Sequence, residues 1–241
     1  MGESKEEKME NQNKLFITSD LHWKNFYHRN IIKYCNRHYE LSLEGIAKMN
    51  EDILKQFDEL PEGSTILNLG DILLNSSKSF ENLKYLVDRM KANNKKLWLI
   101  MGNHDRELSR YLKKQDFESS YDLLVALGFD RVYDKPICMD GIIFTHEPIY
   151  FDNGVKVCYG HTHDIDIDKD YFNHECENWA MMERVKKEAI SKQKNLDIDT
   201  SKNLTGREID VKNYFNACWD KHHRILSYDE VLKYFGKIWF K

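Results

Sequence analysis

Six short apolar runs punctuate the chain, at 15–19, 65–69, 97–101, 141–145, 155–159 and 214–218. Each has the length of a strand and is too short for a helix. Between them, apolar positions recur at helical spacing. Leu43, Ile46, Ile53, Leu54 and Phe57 share one face, and Leu60-Pro61 ends that helix. Phe80, Leu83, Val87 and Met90 form a second stripe, with Ser79 placed to cap it. A helix over 120–127 stops at Gly128, and a shorter one is expected within 28–38. A last helix opens with Ser227 and Glu230 in capping-box positions, with Gly236 just past its end. Strands alternating with helices predict an α/β layered fold.

The first five runs share one further property: each stops at a residue that can bind or transfer a proton. They lead into Asp20-Leu21-His22, Gly70-Asp71, Gly102-Asn103-His104-Asp105, His146 and Gly160-His161-Thr162-His163. In open α/β sheets the ligand crevice lies outside the carboxyl ends of the strands. That rule gathers Asp20, His22, Asp71, Asn103, His104, His146, His161 and His163 along one edge.

Composition narrows the setting. Hydrophobic residues make up 41% of the 241, enough for a sizeable core, and the net charge of -4 gives no overall pull toward nucleic acid or an anionic membrane. The five cysteines form no Cys-x-x-Cys pair, which suggests reduced thiols in a cytoplasmic protein rather than a disulfide framework. No run approaches the length of a membrane span, and residues 1–13 read as a disordered polar leader without the apolar core of a signal peptide.

The gathered edge holds two carboxylates, one amide and five imidazoles, and no thiolate. Oxygen and nitrogen donors without sulfur suit Mn²⁺, Fe, Zn²⁺ or Mg²⁺. The set exceeds the needs of one ion and fits two ions about 3.5–4 Å apart, with a carboxylate shared between them.

In order and in type, these five motifs resemble the calcineurin-like metallophosphoesterases. The resemblance runs from about residue 14 to 163, with a weaker echo toward 240. It implies a two-sheet β-sandwich flanked by helices and a dinuclear metal site, with Mn²⁺ favoured. Asp20, His22 and His163 would hold one ion, Asn103, His146 and His161 the other, and Asp71 would bridge them. A hydroxide between the ions would attack phosphorus, His104 would protonate the leaving oxygen, and Asp105 would orient the His104 ring. Details look closest to small bacterial and phage-type phosphoesterases: Ser19-Asp20-Leu21-His22-Trp23, His28-Arg29-Asn30-Ile31-Ile32, and Asn216-Ala217-Cys218-Trp219. On that likeness His28, Arg29 and Asn216 are expected near the site. Protein phosphatases of the superfamily continue the second motif with Asp-Arg-Gly and the third with Glu, and Ile72 and Asp105 depart from both.

The domain is therefore expected over 14–241, with 171–208 as a helical insertion in which Trp179, Met182 and Val185 share a face. Trp23 is expected either to stack on a base or to pack on the first loop. Cys158, Cys218, His38, His222 and His223 are expected to be core or surface residues outside the chemistry. The implied activity is phosphodiester hydrolysis of nucleotides or short nucleic acid. A phosphomonoesterase and a non-catalytic interaction module remain the alternatives.

Overall fold

The computed structural model describes residues 14–23, 30–35, 37–74, 79–108, 117–151, 154–168, 171 and 209–236. The leader, His28, Arg29 and the insertion beyond Tyr171 lie outside the described residues.

The apolar runs form two packed sheets. The first contains β1 (Leu15–Thr18), β2 (Thr65–Asn68), β3 (Lys96–Ile100) and β4 (Arg131–Tyr133), with β9 (Leu226–Ser227) at its other edge, in the order β4-β3-β2-β1-β9. β1 to β4 are mutually parallel, and β9 runs antiparallel to β1. The second sheet has the order β5-β6-β7-β8, from β5 (Ile137–Met139), β6 (Ile142–Thr145), β7 (Lys156–Tyr159) and β8 (Tyr214–Asn216). There only β5 is antiparallel to its neighbour.

Alternation along the strands sorts side chains into layers. Ile17, Leu67 and Ile100 of the first sheet meet Ile142, Phe144 and Cys158 of the second in the core between the sheets. Ile66, Leu97 and Leu99 point the other way, onto the helices. Those helices are α2 (Leu43–Glu59), α3 (Ser79–Ala92) and α5 (Ser120–Leu127), which bury Ile46, Ile53, Phe57, Leu83, Val87 and Leu124 against the sheet. Burial of each such side chain stabilises by roughly 1.5–3 kcal/mol. Ile143, Val157 and Tyr159 face outward from the second sheet and are covered by Ile149, Tyr150, Phe151 and Ile209.

The helix ends follow the sequence cues. Ser42 caps α2 by accepting the Gly45 N–H at 3.0 Å, and Lys95 closes its far end by donating to the Phe57 and Asp58 carbonyls at 2.6 and 2.7 Å. Gly128 ends α5 in the left-handed conformation, at φ 97°. The short helix expected within 28–38 is α1 (Asn30–Tyr34), while other short elements escape the pattern: α4 (Asn103–Arg106), α6 (Trp219–His222), and the edge strands β4, β5 and β9. The last helix, α7 (Tyr228–Tyr234), carries the expected capping box.

Candidate metal centre

Every central strand delivers its motif at its carboxyl end, as the edge rule requires. β1 runs into Asp20, β2 into Asp71, β3 into Asn103 and His104 on α4, β6 into His146, and β7 into His161 and His163. The loops are laced together across both sheets. The Asp20 N–H donates to the Gly70 carbonyl at 2.9 Å, the His22 N–H to the Asp71 carbonyl at 3.1 Å, and the Gly160 N–H to the His146 carbonyl at 2.8 Å. Asp20, His22, Asp71, His161 and His163 all have positive φ, between 45° and 72°. Non-glycine residues adopt that conformation at a cost of order 1–3 kcal/mol each, and such positions cluster where side chains must be aimed. Two glycines let the loops approach. A Cβ on Gly102 would stand 2.1 Å from Asp71 Oδ1, and one on Gly160 would stand 2.0 Å from Ser19 Oγ.

Among the described residues three groups of ligand atoms converge: two on the motif residues, and a third of Cys35, His163 and Asp220. Ligand atoms of Asp20, His22 and His163 lie within 4.8 Å of one another, as do those of Asp71, His146 and His161. Asn103 joins the second group, its Oδ1 being 3.0 Å from His146 Nε2. His146 Nδ1 donates to the Leu69 carbonyl at 2.9 Å. A neutral His146 therefore presents its Nε2 lone pair to two further acceptors, Asn103 Oδ1 and, at 3.4 Å, Asp71 Oδ2, while His161 Nδ1 at 3.2 Å donates or accepts according to its tautomer. Converging lone pairs repel unless a proton or a cation sits among them. Asp20 shows the same demand. Its Oδ2 accepts from Ser19 Oγ at 2.6 Å, the His161 N–H at 2.7 Å and Cys218 Sγ at 3.2 Å. Its Oδ1 is buried with no hydrogen-bond partner, 4.0 Å from His22 Nε2. An unpaired buried carboxylate oxygen facing an imidazole is a fit for a cation.

The electrostatics agree. Burial opposes charge on His146, but the Asp71 and Asp20 carboxylates push its pKa up to about 9. Burial likewise opposes charge on His163, and its hydrogen bond to Asp220 takes it up to about 11. Burial drives His22 down to about 3 against the pull of Asp71 and Asp20, and lowers His161, with the His146 charge adding to the effect. Burial also works against Asp71, yet the imidazoles of His146, His22 and His104 hold it below the usual carboxylate range. His146 and His163, one in each half of the cluster, are thus the imidazoles that favour positive charge.

His104 stands at the mouth, its side chain 33% exposed, with its N–H donating to Asp71 Oδ1 at 2.9 Å and its Nε2 3.9 Å from Asp71 Oδ2. The expected contact between Asp105 and the His104 ring is not made. Asp105 is 1% exposed, and its Oδ2 accepts the backbone N–H groups of Asp71 at 2.7 Å and Gly102 at 2.9 Å. At the third position of the short helix α4 its carboxylate folds back on the Gly102 N–H, the half of a capping box that a glycine cap allows. Asn216 serves the site at one remove: its Nδ2 donates to the His163 carbonyl at 2.9 Å and to the Ile165 carbonyl at 3.1 Å, shaping the last loop. Trp23 is 1% exposed and donates to the Asn50 carbonyl at 3.0 Å, so it packs and is closed to a base.

Several contributors carry no motif. Cys218, expected in the core alone, is buried and also touches Asp20. Asp220 and Arg37 lie behind His163. The stretch ending at Trp219 pointed toward this region but stopped one residue short of Asp220.

Three comparisons bear on the cluster. Over 94 residues the chain is 32% identical to the uncharacterized protein MJ1445 of Methanocaldococcus jannaschii, a match covering 39% of this chain and 47% of that protein. Among solved structures it is similar to a protein of unknown function, AQ665 from Aquifex aeolicus, at 20% identity and a TM-score of 0.48, covering 91% of this chain and 97% of that one. A Pseudomonas putida nuclease, MPE, matches at 19% identity and a TM-score of 0.36, over 63% of this chain and 62% of its own. The family model for calcineurin-like phosphoesterases matches residues 14–184 and so runs through every loop of the cluster. The chain belongs to the calcineurin-like phosphoesterase family.

Proposed function

We propose that the protein is a phosphodiesterase that hydrolyses nucleotides or short nucleic acid at a pair of divalent metal ions. The observation that carries this reading is the convergence of two largely buried ligand groups, Asp20–His22–His163 and Asp71–His146–His161, beside a further imidazole, His104, whose side chain is 33% exposed. In this reading Asp20, His22 and His163 hold one ion, and Asn103, His146 and His161 hold the second. Asp71, whose Oδ2 faces both His146 and His104, is shared. Bound there, divalent ions supply Lewis-acid polarisation of the phosphoryl oxygens and water acidic enough to attack at neutral pH. The family resemblance favours Mn²⁺, and the imidazole-rich donor set also suits Fe and Zn²⁺, with Mg²⁺ as the remaining candidate.

The chain's own residues do the rest. The Leu69 carbonyl fixes the His146 tautomer, leaving Nε2 free to bind. Asp105 holds the loops of Asp71 and Gly102 in register. His104 stands where it can give a proton to the departing alkoxide. Among the described residues, the cation bonded to this cluster is Arg37, and its donors are committed to Asp220 and to the Leu21 and Asp20 carbonyls. A diester carries less charge than a monoester dianion and leans less on a free guanidinium.

The experiment compares turnover of bis-p-nitrophenyl phosphate and p-nitrophenyl phosphate with added Mn²⁺, with Asp71→Asn as control. Diester turnover that the variant loses is expected. Preferential monoester turnover would make the protein a phosphatase, and bound metal without turnover would leave a binding module.

A further inference from the structure

His163 is held from behind by a charged pair that none of the five motifs contains. Its Nδ1 lies 2.6 Å from Asp220 Oδ2. Asp220 sits near the start of α6 and is 2% exposed. Its Oδ1 accepts a short hydrogen bond from Arg37 Nε, and its Oδ2 a second from Arg37 Nη2 at 3.2 Å. The remaining Arg37 donors reach the Leu21 carbonyl at 2.8 Å and the Asp20 carbonyl at 2.6 Å. The guanidinium also lies over the Trp219 ring, 5.1 Å from its centroid. One buried ion pair therefore joins the backbone that carries Asp20 and His22 to the ring of His163.

A buried pair of this kind is weak evidence for stability, because desolvating two charges offsets most of their attraction. Its placement suggests a different use. A carboxylate at hydrogen-bond distance fixes the proton on Nδ1 and leaves the lone pair on Nε2. His163 forms a ligand group with Asp20 and His22 and another with Cys35 and Asp220, and with Nδ1 taken by Asp220 the nitrogen left for the first group is Nε2. The His22 and His163 rings stack at 5.2 Å, so a turn of one ring disturbs the other. His146 has only a backbone carbonyl behind it. Among the described residues, His163 is the site imidazole with a carboxylate behind it that is itself clamped by an arginine.

We propose that Asp220, clamped by Arg37, is a positioning residue that sets the tautomer and direction of His163 and thereby selects the affinity of the ion held by Asp20, His22 and His163. This inference rests on the reading of the cluster as a metal centre. Removing such a partner behind a ligating imidazole typically weakens metal binding by about 10–100-fold.

The test has two arms on the full chain. In the first, Mn²⁺ binding is titrated calorimetrically for wild type, for Asp220→Asn, and for Arg37→Met combined with Asp220→Leu. The double variant removes both charges together and replaces them with apolar groups, a change that usually preserves folding. One of two ions binding about 10–100-fold more weakly, with the other unchanged, is expected for both variants. Two ions bound as in wild type by the folded double variant would overturn the proposal and leave the metal centre standing. In the second arm, the tautomer of His163 is read by long-range proton–nitrogen correlation in the Zn²⁺-loaded wild type. A proton on Nδ1 is expected, and a metal-bound Nδ1 would overturn the proposal even if neither variant folds. Wild type that binds no divalent ion would overturn the proposal and the reading beneath it together.

Discussion

Asp105 accepts the backbone N–H of Asp71 at 2.7 Å across a separation of 34 residues. Together with the 2.9 Å bond from the Gly102 N–H, this single oxygen ties the loop after β2 to the loop after β3. The carboxylate is thus a staple between two strands of the first sheet, and Asp71 owes its position to it.

That finding separates two substitutions. Asp105→Ala leaves two buried N–H groups without acceptors, each costing about 1–3 kcal/mol, so a loss of roughly 2–6 kcal/mol is expected in urea unfolding. Asp105→Asn keeps an acceptor oxygen and discards a charge that burial and Asp71 already disfavour, pushing the carboxyl up to about 7. Asn is therefore expected to cost much less than Ala. Equal losses for the two would mean that the charge, rather than the acceptor, matters.

The central strands were legible in the sequence because a parallel strand buried on both faces reads as an unbroken apolar run. The motifs were legible because each follows such a run directly. β4, β5 and β9 were not, since two or three residues with mixed exposure have no period to read. Asp220 and Arg37 escaped for another reason: their partnership spans 183 positions, and nothing local marks either residue. The Asp105 contact was misassigned because adjacency in a tetrapeptide says nothing about which way a short helix turns the side chain.

The capping box of α7 yields a pH prediction. Ser227 Oγ accepts the Glu230 N–H at 3.3 Å, and Glu230 accepts the Ser227 N–H at 2.8 Å. The hydrogen bonds from Arg224 lead, burial opposes, and Ser227 adds to the first effect, so Glu230 is brought down to about 2 from 4.5. A folded pKa below the unfolded one means that this stabilisation is full above pH 4.5 and is lost as pH falls toward 2. The Arg224–Glu230 pair is half-exposed, so solvent screening limits its share. Glu230→Gln is expected to cost about 0.5–1.5 kcal/mol at pH 7 and to narrow its gap from wild type between pH 4.5 and 2 in thermal melts. A constant gap across that window would show that Glu230 titrates normally.

Metal removal is expected to destabilise the fold as well as abolish turnover, because Asp20 Oδ1 then stays buried without a hydrogen-bond partner and the positive charge beside Asp71 must come from a buried, protonated His146. Re-adding Mn²⁺ at about 100 times its dissociation constant should return roughly 2.7 kcal/mol. For a domain of this size that corresponds to a Tm rise of about 5–10 °C. Scanning calorimetry of the chelated protein with and without Mn²⁺ reads it directly, and Asp71→Asn should lose most of the rise.

Gly160 approaches Asp20 so closely that no side chain fits. A Cβ there would lie 2.0 Å from Ser19 Oγ and 2.7 Å from Asp20 Oδ2. Gly160→Ala must push the first loop away from the last, at a cost of about 1–3 kcal/mol. Because the displaced groups include the carboxylate of Asp20, Mn²⁺ stoichiometry should fall before the fold fails. Two ions retained by a stable variant would show that the loops yield more than their packing suggests.

The His104 side chain is 33% exposed, against 25% for His163 and 2% for His22 and His146, and it belongs to none of the ligand groups. Its backbone N–H is spent on Asp71 Oδ1, which fixes α4 against the β2 loop and leaves the ring free to face a substrate. At 3.9 Å from Asp71 Oδ2, its Nε2 is beyond hydrogen-bond distance of that oxygen and in reach of a group entering between them. A proton donor there matters in proportion to the basicity of the leaving oxygen. Removing a general acid costs about 10²–10⁴-fold when an alkoxide must depart, and less when the leaving group is already acidic. His104→Ala is therefore expected to slow alkyl phosphodiesters by that factor and p-nitrophenyl esters by far less, with both ions still bound because His104 is not among the ligands in this reading. Parallel kinetics on the two ester classes, with metal content measured on the same samples, check it. Equal losses on both, or loss of an ion, would remove His104 from proton transfer and make it a part of the metal centre.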